Sequence, residues 1–432
     1  MASTYLRKAF STTGDRQKFS LSMWIKRGSG LGVEQMLCEC YSGSSAKDEI
    51  WLQSNDTLNF VKTDGGGLAT TTAPVYRDVG AWYHFLIAAD STQGSNADRI
   101  KIYKNGVQQT LGQQDTIPVN SNFQFGASGA ELTFGVKNDL SWYFNGSMAN
   151  VEMVDGQQLT PAYFGSTDSN TGIWTPEASS TISSYGTNGF KLKMDTTSPG
   201  ADTSGNTNTF TASGTPTLTQ GSPSNVYATL NSIIKTYGTQ VFSNGNTTSL
   251  NSTNEPAWAH TLSTIGVSTG KWYWEIKVSG ATPWIWTGII SEAVDVRTQY
   301  LYNENTGTFL YGNNGNKYVN GSATSSFFAT LATNDIVSVA LNLDDNKITF
   351  YKNGTATPNA TALDLPANLS STTVFPATTL VNGASISINF GEGFFGTTAA
   401  GTQADDNGQG LFAYDVPAGY YALNTKNLEA YG

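Results

Sequence analysis

Aromatic rings set beside side-chain amides are the densest chemistry in this sequence. Trp284-Ile285-Trp286, then Tyr300-Leu301-Tyr302-Asn303, then Tyr311 with Asn313 and Asn314, supply both in one loop-rich stretch. That mixture suits a pyranose, whose apolar side stacks on a ring while amides and carboxylates take its hydroxyls, sometimes around calcium. Asn138, Asp139 and Trp142, with Tyr143, form a second and sparser set in which Asp139 could hold calcium. Core packing competes for every one of these rings, and Trp286, which leads straight into a strand, is expected to be core.

Catalytic constellations are scarce. His84 and His260 are the only histidines in the sequence, which excludes a site built on three imidazoles in one chain. His84 sits in an apolar run and is expected to be a packed residue. The sequence has no Cys-x-x-Cys pair, no Gly-x-Ser-x-Gly elbow and no Walker loop, and Asp64-Gly65-Gly66-Gly67 lacks the lysine of a phosphate cradle. Glycoside hydrolysis needs two carboxyl groups about 5 to 10 Å apart. Glu39, Asp48, Glu49, Glu152 and Asp155 are scattered, and Glu275 stands alone on its strand. The chain is therefore expected to bind and not to catalyse, with a carbohydrate-active enzyme as the minor alternative.

Composition narrows the partners. Charged residues make up 13% of 432 residues while aromatics reach 12%, and charge that scarce beside many rings and β-branched residues describes sheet with short polar turns. The class is all-β. A net charge of −10 opposes an electrostatic grip on nucleic acid or anionic lipid. No apolar run approaches a membrane span, and Met1 to Phe10 has no apolar h-region, so neither membrane insertion nor a signal peptide is expected. Cys38 and Cys40, at i and i+2 on a strand, point to one face and cannot close a relaxed disulfide. Two buried free thiols fit synthesis in a reducing cytoplasm.

The elements that must position these groups are arranged around a repeated tetrapeptide. Arg99 to Gly106 and Lys347 to Gly354 both alternate apolar and polar residues and end in Tyr-Lys-Asn-Gly. Asn-Gly favours a two-residue hairpin turn because both of its central residues need positive φ. Lys18 to Lys26, with Phe19, Leu21, Met23 and Ile25 on one face, Trp82 to Ala89, and Phe144 to Val154 read as strands of a first sandwich over residues 1–165. Gly270 to Ser279, Asn334 to Leu343 and Ala384 to Phe390 do the same for a second over 226–391. Between them, 166–225 is a Gly/Ser/Thr/Asn-rich connector. Its Trp174, Tyr185, Phe190, Leu192, Met194 and Phe210 predict a segment lying against a sandwich and not a solvated tether. Residues 392–432 form a C-terminal extension.

The ordered pieces Phe-Ser-Leu-Ser-Met-Trp-Ile-Lys, Trp-Tyr-His-Phe, Arg-Ile-Lys-Ile-Tyr-Lys-Asn-Gly and Leu-Thr-Phe-Gly resemble the laminin-G and pentraxin-like group of concanavalin A-like jelly rolls. Gly-Lys-Trp-Tyr-Trp-Glu-Ile, Asp-Ile-Val-Ser-Val-Ala-Leu-Asn-Leu and Ile-Thr-Phe-Tyr-Lys-Asn-Gly resemble a SPRY domain. Asp155 to Pro161, Ser222 to Asn231 and Phe412 to Leu428 are similar to phrases in laminin-G-like proteins of marine bacteriophages. The resemblance implies a virion protein made in the host cytoplasm and released by lysis, with two antiparallel sandwiches. It would be a tail fibre or appendage presenting loops to a host-surface glycan or protein. The alternative it leaves is a capsid decoration or head-fibre protein bound to other virion proteins. Edge strands that need covering imply a homo-oligomer, and the analogy with phage appendages implies a trimer.

Overall fold

The computed structural model describes residues 4–63, 66–169, 171–177, 181–195, 197–235, 240–252, 258–280, 284–293, 307–312, 314–357, 359, 362–369 and 372–432. The chain divides into two compact units, Met1–Leu218 and Thr219–Gly432. Each is a pair of stacked, mainly antiparallel sheets, as the alternating sequence predicts.

In the first unit one sheet runs, in spatial order, Leu111–Gln114, Leu68–Val75, Thr57–Lys62, Ala46–Leu52, Gln35–Gly43, Glu131–Phe134, Tyr5–Ala9 and Thr211–Ser213. The other runs Phe190–Leu192, Gly146–Asp155, Lys18–Arg27, Trp82–Asp90, Ile100–Lys104 and Val107–Gln108. Their facing side chains make one core: Leu37, Cys38, Cys40, Ile50, Phe60 and Phe134 from the first sheet meet Phe19, Leu21, Met23, Ile25, Phe85 and Ile102 from the second. Both cysteines are free and buried, and burial pushes both thiols well above their usual range.

The connector expected over 166–225 supplies elements of this unit. Phe190–Leu192 extends the edge of one sheet and Thr211–Ser213 that of the other, and Phe190, Leu192 and Phe210 enter the inter-sheet core. Residues that follow Asp155 cross the outer face of the second sheet, where Phe164 and Tyr185 pack on Leu86, Ala88 and Val154. Gln158 Nε2 donates to the carbonyls of Ala88 and Asp98 at 3.2 and 2.8 Å. This strap covers the face that the core does not use.

The second unit repeats the plan. One sheet runs Leu230–Lys235, Ala259–Ser263, Val374–Leu380, Ile285–Ser291, Gly307–Tyr311, Asn316–Val319 and Ser322–Thr324. The other is centred on Lys271–Val278, flanked by Ser385–Asn389 and Ile336–Asn342, with Lys347–Lys352 beyond. Trp272, Trp274, Ile276 and Val278 alternate into the core. On the opposite face of that strand, Tyr273 is covered by the extension: Phe412 meets its ring edge-on at 5.0 Å, and Tyr421–Ala422 pairs in parallel with the same strand. Glu275 fixes this second strap, accepting the amides of Ala413 at 2.9 Å and Tyr414 at 3.0 Å. A short helix, Thr425–Tyr431, ends the chain, capped by the Asn424 side chain.

Both tetrapeptides form the expected hairpins. Asn105 and Gly106 have φ of 48° and 80°, and Asn353 and Gly354 have 49° and 77°. Each asparagine also clasps the neighbouring strand: Asn105 Oδ1 accepts the His84 amide and Asn353 Oδ1 the Ile336 amide, both at 2.8 Å. No helix among the described residues is long and apolar enough to cross a membrane.

Candidate binding site

With one sheet of the first unit under its strap, the outer face of the other sheet presents its chemistry. Leu58 and Phe60 turn into the core, so Asn59 and Val61 point outward by strand alternation. Antiparallel register then sets Trp51 opposite Asn59, Asn59 opposite Thr71, and Glu39 opposite Glu49. Thr71 Oγ1 donates to Asn59 Oδ1 at 2.7 Å.

The loop that carries Asn138, Asp139 and Trp142 lies over the same face. Trp142 sits with its ring centroid 6.0 Å from that of Trp51, tilted by 45°. The Lys137 ammonium stands 4.4 Å from the Trp142 ring centroid, a cation–π contact worth about 0.5–1 kcal/mol where water has access. Leu140 and Trp142 both hold positive φ, 61° and 52°, a conformation that costs a bulky residue about 1–2 kcal/mol. The loop tolerates this because it is anchored at several points: the Met36 amide donates to the Trp142 carbonyl at 2.7 Å, and the Phe144 amide to Gly135 at 2.9 Å.

An ion network beneath the loop supplies further anchors. Lys47 Nζ lies 2.8 Å from Glu49 Oε1 and 3.7 Å from Glu39 Oε1, while Lys137 Nζ lies 4.0 Å from Glu49 and 3.9 Å from Asp139. Glu39 accepts the Asn138 amide. Burial raises the Glu39 carboxyl, with the Asn138 amide pulling the other way and Glu49 adding to the rise. Glu39 and Glu49, scattered in the sequence, are thus brought together by strand register. Glu39 is 1% and Glu49 5% exposed, and both are held by lysines, so they brace the loop from beneath.

Asp139 is tied in as well. The Ser141 amide and hydroxyl both donate to its Oδ1, and the hydroxyl bond, first among the causes, lowers its pKa. Calcium takes six to eight oxygens, and among the described residues no group of three acidic or imidazole side chains is placed to hold a metal.

Among the described residues, His84 and Ser22 make an arrangement that resembles nucleophilic catalysis. Its Nε2 is 2.8 Å from Ser22 Oγ, and both residues are buried. The Trp174 indole N–H donates to His84 Nδ1 at 3.0 Å. Nδ1 is therefore an acceptor, so the neutral ring carries its proton on Nε2 and donates to Ser22. That is the reverse of a general base. Trp24 and Trp174 stack on the imidazole at 4.8 and 5.9 Å, and burial pushes its pKa down to about 3. His260, bonded through Nδ1 to Thr379 Oγ1 at 2.7 Å, is lowered by burial to about 4.

In the second unit, Trp284 is half-buried and packs against both apolar clusters that flank its sheet. Trp286 is 3% exposed and lies 4.7 Å from Trp258 on the sheet face away from the main core. Tyr311 closes the strand that pairs with Trp286. The side chain of Tyr311, together with Tyr300, Tyr302, Asn303 and Asn313, lies outside the described residues. The sequence reading brought Asn138, Asp139 and Trp142 forward and passed over Trp51, Asn59 and Lys137. The missing signal was the hairpin of Ala46–Leu52 with Thr57–Lys62, whose register sets Trp51 against Asn59.

Comparison with known families agrees with this architecture. Residues 2–163 match the family described as the concanavalin A-like lectin/glucanases superfamily, and residues 271–393 match the SPRY domain family. The chain thus holds an N-terminal laminin-G/concanavalin A-like domain and a C-terminal SPRY domain. Among solved structures, the SPRY domain of human HERC1 is 15% identical, covering 34% of this chain and 91% of that chain with a TM-score of 0.29. The TRIM65 PSpry domain is 15% identical, covering 38% and 91% with a TM-score of 0.30. The heptameric SAP-like pentraxin from Limulus polyphemus is 16% identical, covering 36% and 71% with a TM-score of 0.28. A search of curated proteins finds no match. Trp174, Ala413 and Tyr414, which belong to the straps, fall outside both matched stretches.

Proposed function

We propose that this chain is a non-enzymatic, glycan-binding protein of a bacteriophage virion, a tail fibre or similar appendage. On this reading it is made in the host cytoplasm, released by lysis, and meets a host-surface glycan or protein through its laminin-G-like unit. The observation that carries the binding part is the Trp51–Trp142 pair, held on an open sheet face by a loop that tolerates a left-handed tryptophan. Strain of that kind persists where surrounding contacts over-determine the geometry, and it clusters at ligand sites. The inverted proton on His84 and the lysine-bound Glu39 and Glu49 favour binding over catalysis. The virion assignment rests on the sequence phrases at Asp155 to Pro161 and Phe412 to Leu428, and on buried free thiols in a chain rich in surface-type loops.

A second reading, capsid decoration or a head fibre contacting other virion proteins, is favoured by Ile233 and Val241. These are 51% and 50% exposed on edge strands of the second unit, where an apolar side chain suits a protein neighbour or a homotrimer contact. Calcium, in either reading, would be an auxiliary at Asp139 that displaces its Ser141 bonds.

Two measurements test the proposal. Antibody against the purified chain should label virions at the tail in electron micrographs; label over the head supports decoration, and a chain absent from purified particles overturns both. Binding of the purified chain to host-surface glycans should fall at least about tenfold in Trp142→Ala, the loss expected for one buried aromatic contact. Unchanged binding in Trp142→Ala and Trp51→Ala sinks the site.

A further inference from the structure

We infer that the glycan taken by the Trp51–Trp142 face is uncharged, and that sugars bearing carboxylate, sulfate or phosphate are excluded. The inference rests on the glycan-binding reading above and adds the class of sugar.

Among the described residues, the two ammonium groups placed at the tryptophan pair are both engaged. Lys47 is held by Glu49 and Glu39. Lys137 is held among Glu49, Asp139 and the Trp142 ring. With Glu131, whose Oε1 accepts Asn138 Nδ2 at 3.4 Å, the cluster sets four carboxylates against two ammonium groups. Asp139, with 60% of its side chain exposed, is the acid that faces solvent most openly. The next cation on this face is Arg7, opposite Thr133 in register and so two strands from Glu39, about 10 Å away at sheet spacing. Arg77, near the far end of Trp51's hairpin, is bonded to Asp56 at 2.6 Å. An anionic sugar would therefore meet net negative charge in a half-desolvated site, with its nearest cations held by other carboxylates.

What the face does offer is an uncharged donor. Asn59 is 3% exposed, and its Oδ1 is taken by Thr71. Its Nδ2 has no partner among the described residues, and it shares a cross-strand row with Trp51. That amide edge is left to solvent, so an arriving hydroxyl or acetamide oxygen replaces water on it while the apolar side of the same pyranose covers the Trp51–Trp142 pair. The arrangement fits a neutral hexose, deoxyhexose or N-acetylhexosamine.

The test uses the full chain on immobilised glycans of three kinds: neutral, uronate- or sialate-bearing, and sulfated. Each is read at low and at high salt, with Trp142→Ala and Asn59→Ala alongside and folding of both variants checked by thermal melting. Neutral glycans should bind with little salt dependence, Trp142→Ala should abolish most of that binding, and Asn59→Ala should weaken it about five-fold, one neutral hydrogen bond. Binding of an anionic glycan that is lost in Trp142→Ala overturns the neutral class while leaving the glycan site standing. Neutral binding indifferent to both substitutions, or no binding to any of the three kinds, overturns the site and the class together. If Trp142→Ala fails to fold, Asn59→Ala decides, since it removes one donor and leaves the loop anchors in place.

Discussion

Replacing Glu275 by alanine separates a tail that merely rests on the second sandwich from one that belongs to it. The carboxylate is fully buried on the central strand, where Oε2 accepts the Ala413 amide at 2.9 Å and Oε1 accepts the Tyr414 amide at 3.0 Å and the Tyr273 hydroxyl at 3.1 Å. Hydrogen bonds to an ionised acceptor contribute about 1.5–3 kcal/mol each, so the two amides alone account for about 3–6 kcal/mol. Part is offset because burial raises the Glu275 carboxyl, and removing the group relieves that desolvation. The net loss expected is about 3 kcal/mol for Glu275→Ala and about half that for Glu275→Gln, which keeps one carbonyl acceptor. Urea denaturation gives the magnitude, and hydrogen exchange at the Ala413 and Tyr414 amides gives the location. A loss below about 0.5 kcal/mol with both amides still protected would refute the argument, because no buried amide could then have been stranded.

Other outcomes follow from buried charge and from tight turns. Burial holds the Asp48 carboxyl up at about 7, so the stability it contributes is complete below about pH 4 and lost as pH rises through 7; His84, pushed down to about 3, costs nothing above about pH 6.5 and progressively more on acidification. The two oppose each other between about pH 4 and 6.5, and Asp48→Asn should expose a steady loss of first-unit stability on acidification in urea melts; an unchanged pH profile in the variant contradicts the assignment. A Cβ at Gly106 would stand 2.6 Å from the Trp174 ring and one at Gly354 2.4 Å from the Tyr414 ring, both at positive φ. Each Gly→Ala change should cost about 2–3 kcal/mol, against about 1 kcal/mol at Gly408, where φ is 66° and nothing lies within 4 Å. Equal losses at all three positions would mean that the ring contacts carry no weight.

Local signals were read well from the sequence and distant ones were not. The Asn-Gly turns were legible because turn chemistry is confined to two residues, and the core faces of Lys18–Arg27 and Lys271–Val278 because alternation repeats along one strand. The large apolar residues of the connector gave the right warning, since Phe190, Leu192 and Phe210 are core and Trp174 lies on His84. Its composition still resembled a linker because the strap is made of turns, each needing Gly, Ser or Asn. Trp51 and Trp142 meet only through strand order: Gln35–Gly43 must lie between Ala46–Leu52 and Glu131–Phe134 before the later loop can reach the earlier strand. Single-strand periodicity carries no trace of that order.

The straps explain why the first unit's binding chemistry gathers on one sheet. A sandwich has two outer faces, and in each unit the face that bears the Tyr-Lys-Asn-Gly hairpin is closed by the chain's own return, with Trp174 over Gly106 and Tyr414 over Gly354. Closing it buries rings that would otherwise form an adhesive patch: Trp24 and His84 in the first unit, Tyr273 and Phe412 in the second. On the opposite sheet of the first unit, Trp51 and Trp142 are both only half-buried. A pair of half-buried rings, on a molecule that covers the rings of its other sheet, has the arrangement expected where a ligand completes the surface.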